Sequence, residues 1–159
     1  EVLSHSYSYI YKLPITCLRF FTVYGPFGRP DMALFKFVKN INQGKSIKLY
    51  NYGNHQRDFT YVEDVAISIE KIMNKPSRKN IPFEVYNIGS NNPISLMKFV
   101  SLIESELQKK AKFIKTKIQK GDVFKTHADN TKIIKKTKYQ PKTKAKEGIK
   151  KFINWFKSY

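Results

Sequence analysis

A chain of 159 residues, 41% of them hydrophobic and 14% aromatic, can bury one substantial core, which excludes a disordered or low-complexity chain. No run of about 18 apolar residues occurs, so no membrane-spanning helix is expected. The formal net charge of +18 invites an anionic partner, but nucleic acid is not the one expected: 16 lysines are spread over positions 108–151, without the Arg forks or recognition element that base readout uses.

The opening, EVLSHSYSYIY, places Leu3, Tyr7, Ile10 and Tyr11 on one helical face, stopped by Lys12 and a Leu-Pro pair. It has neither an initiator Met nor a charged-then-apolar leader, so it reads as a fragment that starts within a helix and carries no signal peptide. Residues 15–21 form an apolar run without alternation, the pattern of a strand buried on both faces in a parallel sheet. Cys17 lies inside that run as the one cysteine, reading as a small buried hydrophobe in a reduced, cytoplasmic setting.

The next stretch, LRFFTVYGPFGRPDMA, ends the strand in a hydroxyl, a Gly-Pro turn and a guanidinium. Asp31 is then expected to cap a helix with Leu34, Phe37, Val38 and Ile41 inward, ended by Gly44. Short strands are expected at 46–50 and 58–61, around the turn NYGNHQ. Thr60 and Glu63 have the spacing of a capping box opening a helix whose inner face is Val62, Val65, Ala66, Ile69 and Met73. A strand at 84–88 and a Ser95-capped helix with Leu96, Phe99, Val100, Ile103 and Leu107 inward follow. The remainder reads as a strand at 112–117, a Gly121-Asp122 turn, a short helix capped by Asp129, and a last helix over 144–156. Helices alternating with short strands make the chain α/β.

In such folds ligands sit beyond the carboxyl ends of strands, where Thr22 and Tyr24 fall. A Thr hydroxyl can donate to a carboxylate or phosphate oxygen. Arg29 offers a planar fork for a diphosphate, or a surface partner for Asp31. Arg57 reads equally as a phosphate clamp or as half of an ion pair with Asp58 or Asp64. Gln119 and Asp122 could serve ribose hydroxyls or simply build a turn. His5, His55 and His127 lack metal-ligand spacing, so no metal site is expected. Taken alone, these residues describe an α/β domain that binds an anionic ligand.

The blocks LRFFTVYGPFGRPDMA, YNYGNHQRDFTYVEDV, YNIGSNNPISL and QKGDVFKTHAD, with the closing Y-x-P…GI-x-x-F-x-x-W, run in order over essentially the whole chain. Together they resemble the second half of the UDP-glucuronate 4-epimerases, within the extended short-chain dehydrogenase/reductase superfamily of NAD-dependent epimerases and dehydratases. The R-D-F-T-Y-x-x-D block is common to several sister activities. The block around Thr22 is more specific, since UDP-galactose-type relatives usually carry Asn there.

The resemblance implies the C-terminal portion of a Rossmann-type fold with its small substrate-binding subdomain, the dinucleotide-binding half lying upstream. Residues 1–30 would end the Rossmann-type core. Residues 31–159 would mainly bind the nucleotide sugar, with strand 84–88 returning to the core sheet. It further implies that Phe20 and Phe21 lie by the nicotinamide of NAD and that Thr22 faces the sugar near its carboxylate. Arg29 and, more weakly, Lys36 would approach the carboxylate and phosphate side. Lys48, Leu49 and Tyr50 would run beside the uracil, Arg57 would clamp the diphosphate, and Gln119 and Asp122 would meet ribose and phosphate.

The family reaction moves hydride from C4 to NAD⁺, rotates the 4-keto sugar and returns hydride to its other face. Its Y-x-x-x-K pair and G-x-x-G-x-x-G loop belong to the upstream half. No catalytic residue is therefore expected in this chain, which alone should neither epimerise nor hold NAD tightly. The expected partner is a UDP-sugar, with a homodimer possible for the full-length parent and neither nucleic acid nor membrane involved. Three other readings stay open: a sister nucleotide-sugar enzyme, a non-catalytic nucleotide-sugar binder, and a basic nucleic-acid-binding module.

Overall fold

A computed structural model describes all 159 residues. Its elements in chain order begin with α1 (Val2–Tyr11), β1 (Ile15–Phe20), β2 (Thr22–Tyr24), α2 (Ala33–Asn42) and β3 (Ser46–Leu49). A 3-10 turn (Tyr50–Gly53) leads to β4 (Gln56–Arg57), β5 (Phe59–Tyr61), α3 (Val62–Met73), β6 (Phe83–Ile88) and β7 (Ile94–Ser95). The chain closes with α4 (Leu96–Leu107), β8 (Lys112–Lys115), α5 (Thr131–Thr137) and α6 (Ala145–Ser158).

β1 and β2 form one extended run that changes partner midway. β1 lies parallel to β6, from Ile15 opposite Phe83 to Phe20 opposite Ile88. Phe21 N–H still donates to the Ile88 carbonyl, whereas Thr22 N–H donates to that of Asp58, and β2 continues parallel to β5. The backbone therefore diverges from β6 just where Thr22 begins, at the carboxyl end of β1. Divergence at a strand end opens the crevice in which ligands of α/β sheets sit. β4 lies antiparallel to β7, while β3 pairs in parallel with β8 and Gln56 bridges to Lys125, which brings the segments around positions 50 and 120 to the same side.

The larger core joins α2, α4 and α6 over β2, β3 and β5, with Phe59 stacked on Phe99 at 3.9 Å between ring centroids. Leu34, Phe37, Val38 and Ile41 of α2 are buried there, as are Leu96, Phe99, Val100, Ile103 and Leu107 of α4. Ser95 caps α4 by accepting from the Lys98 N–H at 3.1 Å, as its spacing predicts. A smaller cluster places Val65 and Ile72 of α3 with Ile133 of α5 against Tyr86 and Ile88.

Several expectations change. The 15–21 strand is not buried on both faces: Ile15 to Leu18 are half-buried, Arg19 and Phe20 are exposed, and β1 has a neighbour on one edge only. The apolar face of α1 points outward, with Leu3 70% and Ile10 63% exposed, while Ser8 is buried and His5 meets Phe83 edge-on. Helix α3 is rotated from the expected phase. Val65 packs inward, but Ala66, Ile69 and Met73 face outward, and Asp64, Ser68 and Ile72 take the inner positions. Its capping box does not form, since Tyr61 is the N-cap and the buried Thr60 hydroxyl donates instead to Asp58 at 3.4 Å. Asp31 likewise caps nothing: Met32 stands at the N-cap of α2, and Asp31 is bound by Arg29. Asp129 accepts from the Thr131 N–H at 2.9 Å, one position before the Asn130 N-cap of α5.

Candidate functional site

A cavity of about 510 Å³ opens beside the point where β1 gives way to β2. Thr22 stands at its sheet end, and Lys36 and Asn40 reach it from one face of α2. Period-two alternation in β3 sends Lys48 outward to the opening while Leu49 turns into the core. Tyr50 follows at the start of the 3-10 turn, with Lys48 Nζ 5.1 Å from its ring centroid. That turn holds Asn51 and Tyr52 in left-handed backbone conformations, a strained bend at the cavity mouth.

Arg57, from β4, and Asp122, from the 119–122 turn, close the far side. Arg57 Nη2 donates to Asp122 Oδ1 at 2.7 Å, and Nη1 donates to the carbonyls of Gln56 and Phe124 at 3.0 and 3.1 Å. The guanidinium is thereby held flat, with a side chain only 17% exposed. The turn itself is set by Asp122 N–H donating to the Gln119 carbonyl at 3.1 Å, with Gly121 at φ +82°, where a side chain would be strained.

Of the nine expected substrate residues, six line this one cavity: Thr22, Lys36, Lys48, Tyr50, Arg57 and Asp122. Three lie elsewhere. Leu49 is fully buried in the main core. Gln119 is exposed on its turn. Arg29 borders a neighbouring recess of about 30 Å³ and binds Asp31 through two hydrogen bonds of 3.0 and 2.5 Å, which hold that carboxyl below its ordinary range. Arg57 pairs with neither Asp58 nor Asp64, the two partners that its sequence neighbourhood suggests. Asp58 instead accepts from Ser90 and Ala128, and Asp64 from Tyr139 and Thr143. Tyr24 is a core residue, its hydroxyl buried near Gly148 without a partner, and burial pushes its phenol well above the ordinary value.

Sequence reading missed His55, Asn40 and Asp31 as cavity residues. The sequence offers His55 only as a candidate metal ligand; the signal that places it is its position two residues before Arg57. No group of three or more His, Cys, Asp or Glu side chains gathers anywhere in the structure. No helix is long and apolar enough to cross a membrane.

Phe20 and Phe21 sit at the divergence point itself. Phe20 is 48% exposed at the end of β1, and Phe21 is half-buried with its N–H tied to Ile88. A cavity rimmed by Lys36, Lys48 and Arg57 thus opens past the end of a parallel strand, the place where α/β folds hold their ligands.

The comparisons make that class specific. The model of the NAD dependent epimerase/dehydratase family matches residues 1–89, more than half of the chain, and the chain belongs to that family. Protein CapI of Staphylococcus aureus is 43% identical over 173 aligned positions, covering 100% of this chain and 52% of that protein. A UDP-glucuronate 4-epimerase of Thermodesulfobacterium geofontis is 40% identical, covering 99% of this chain and 47% of its own length. Among solved structures, a UDP-glucuronic acid 4-epimerase from Bacillus cereus, in complex with UDP-glucuronic acid and NAD, superposes with a TM-score of 0.91 at 32% identity. It covers 99% of this chain and 49% of the other. The chain spans about half the length of the relatives it matches. Its fold is a portion of the α/β fold of those NAD-dependent nucleotide-sugar enzymes.

Proposed function

We propose that this chain supplies the nucleotide-sugar-binding half of an NAD-dependent UDP-glucuronate 4-epimerase, which interconverts UDP-glucuronate and UDP-galacturonate through a 4-keto sugar. The observation that carries this reading is the convergence of Thr22, Lys36, Lys48, Tyr50, Arg57 and Asp122 on one cavity, although they come from five separate stretches of chain. The named similarity of the Bacillus and Thermodesulfobacterium enzymes supports the choice of sugar.

In this reading Arg57 grips the diphosphate, and Lys36 and Lys48 add positive potential at the rim. Thr22, the cavity residue beside Phe21, donates its hydroxyl to the sugar carboxylate. Tyr50 offers a ring face to the base, and Asp122 accepts from a ribose hydroxyl. NAD, when bound, supplies the hydride acceptor and donor for C4. The exposed ring of Phe20 fits the edge of a nicotinamide, which needs a flat apolar surface there rather than a polar cradle. The pair Y-x-x-x-K does not occur among these residues, so proton transfer at the C4 hydroxyl is assigned to no side chain of this chain. Residues 1–30 with strand β6 are read as the end of the dinucleotide-binding core, and the remainder of 31–159 as the sugar-binding region.

Calorimetric titration of the chain with UDP-glucuronate tests the reading. Saturable binding is expected, weakened about tenfold or more in Arg57→Ala, since a charge-assisted contact contributes about 1.5–3 kcal/mol. Absence of saturable binding, or equal affinity in the variant, would overturn it.

A further inference from the structure

His55 is a cavity residue that the proposed function leaves unused. It is 5% exposed and its backbone is fixed on both sides: its N–H donates to the Gly53 carbonyl at 3.0 Å, and its own carbonyl accepts from Leu96 at 2.8 Å. Its ring borders the cavity, with Nε2 3.3 Å from Asp122 Oδ2. That separation is short enough for an ion pair, yet the ring is not aligned for a hydrogen bond and Nε2 has no other partner. A buried polar nitrogen left in this way costs about 1–3 kcal/mol, so the ring is poised to bond more strongly than it does here.

Asp122 is shared between two bases. Oδ1 accepts from Arg57 Nη2, and Oδ2 faces His55. Arg57 Nη1 is already engaged by two backbone carbonyls, so Nη2 is the terminal nitrogen whose present partner is a side chain. A dianionic group arriving at Arg57 competes with Asp122 for it, and added negative charge beside an imidazole favours its protonated form. The other charged groups around His55 are few. Lys36 and Asp31 face the cavity from the α2 side and Lys48 from β3, Asp31 being already held by Arg29, while α4 contributes only the apolar Leu96.

We propose that His55 is a ligand-positioning residue. As the diphosphate of a nucleotide sugar draws on Arg57, His55 takes a proton from solvent and holds Asp122, which keeps the 119–125 segment against the ligand. This rests on the nucleotide-sugar reading of the cavity.

Binding should therefore take up protons. UDP-glucuronate suits the test because both its phosphates are esterified and carry no group titrating near neutrality. Titrated into the chain at neutral pH in two buffers of different ionisation enthalpy, it should give different heats, reporting uptake of a fraction of a proton per ligand. In His55→Gln, which keeps a nitrogen donor near Asp122 but cannot take up a proton, binding should weaken severalfold and the buffer dependence should vanish. Saturable binding with buffer-independent heat in the wild type, or an unchanged buffer dependence in His55→Gln, would overturn the inference and leave the functional reading standing. No saturable binding in the wild type would overturn both. Should the variant not fold, proton NMR of the wild type decides. The His55 ring resonance should move to its protonated position on saturation while those of His5 and His127 stay, and an unmoved His55 refutes the proposal.

Discussion

At the scale of single residues, the most heavily used side chain outside the cavity is Asp58. It is fully buried between β4 and β5. One carboxylate oxygen accepts from the Ser90 N–H at 2.6 Å, the Ser90 hydroxyl at 2.8 Å and the Thr60 hydroxyl at 3.4 Å. The other accepts from the Ala128 N–H at 2.9 Å. The side chain thus ties the β4–β5 junction to the segments after β6 and before α5, the frame in which Arg57 is held. Removing it strands several buried donors at once, each worth about 1–3 kcal/mol when left unpaired. Asp58→Ala should therefore lose on the order of 3 kcal/mol or more in urea unfolding. A loss below about 1 kcal/mol would mean that water or local rearrangement satisfies those donors instead.

At the scale of elements, α3 is fastened by its polar residues as much as by its apolar ones. Asp64 Oδ1 accepts from the Tyr139 hydroxyl at 2.6 Å and Oδ2 from the Thr143 N–H at 2.9 Å, which links α3 to the connection between α5 and α6. Burial pushes the Asp64 carboxyl up, but the hydrogen bonds from Tyr139 and Thr143 outweigh it and leave the group below its ordinary value of 3.8. A carboxyl depressed in the folded state binds fewer protons there than when unfolded. Its stabilisation is complete well above 3.8 and is lost as pH falls through that value towards the folded one. Acid unfolding followed by circular dichroism should show this loss in the wild type, and Asp64→Asn should flatten stability across the same window. If the two proteins lose stability in parallel below 3.8, the link between α3 and the α5–α6 connection does not depend on the charge.

At the scale of the whole molecule, apolar surface and net charge oppose one another. β1 has a neighbour on one edge, and the outer face of α1 leaves Val2, Leu3, Ile10 and Tyr11 between 63% and 84% exposed. Open strand edges and contiguous apolar patches promote association. A net charge of +18 resists it through a repulsion that salt screens. Light scattering at tens of micromolar, on the order of ordinary assay concentrations, should report self-association that rises with ionic strength. A monomer at both low and high salt would count against an adhesive role for this edge and face.

The amphipathic elements of the main core were legible from the sequence because each declares itself locally. Helical spacing in α2 and α4 and the Ser95 cap need no distant partner to be read, and all fold as their patterns predict. Six of the cavity residues were legible too, through ordered motif blocks that resemble a known family. What the sequence could not carry was the choice among distant partners. Arg57 and Asp122 stand 65 positions apart, and the pairing of β3 with β8 and the bridge from Gln56 to Lys125 bring them together. The phase of α3 was likewise decided by Asp64 reaching Tyr139, 75 positions away, against a local pattern that favoured Ile69 and Met73 inward. Local patterning determines where helices and strands form. Which polar group satisfies which, and so what the cavity presents to a ligand, is decided by the tertiary fold, because a buried charge takes its partner from whatever packing places within hydrogen-bond reach.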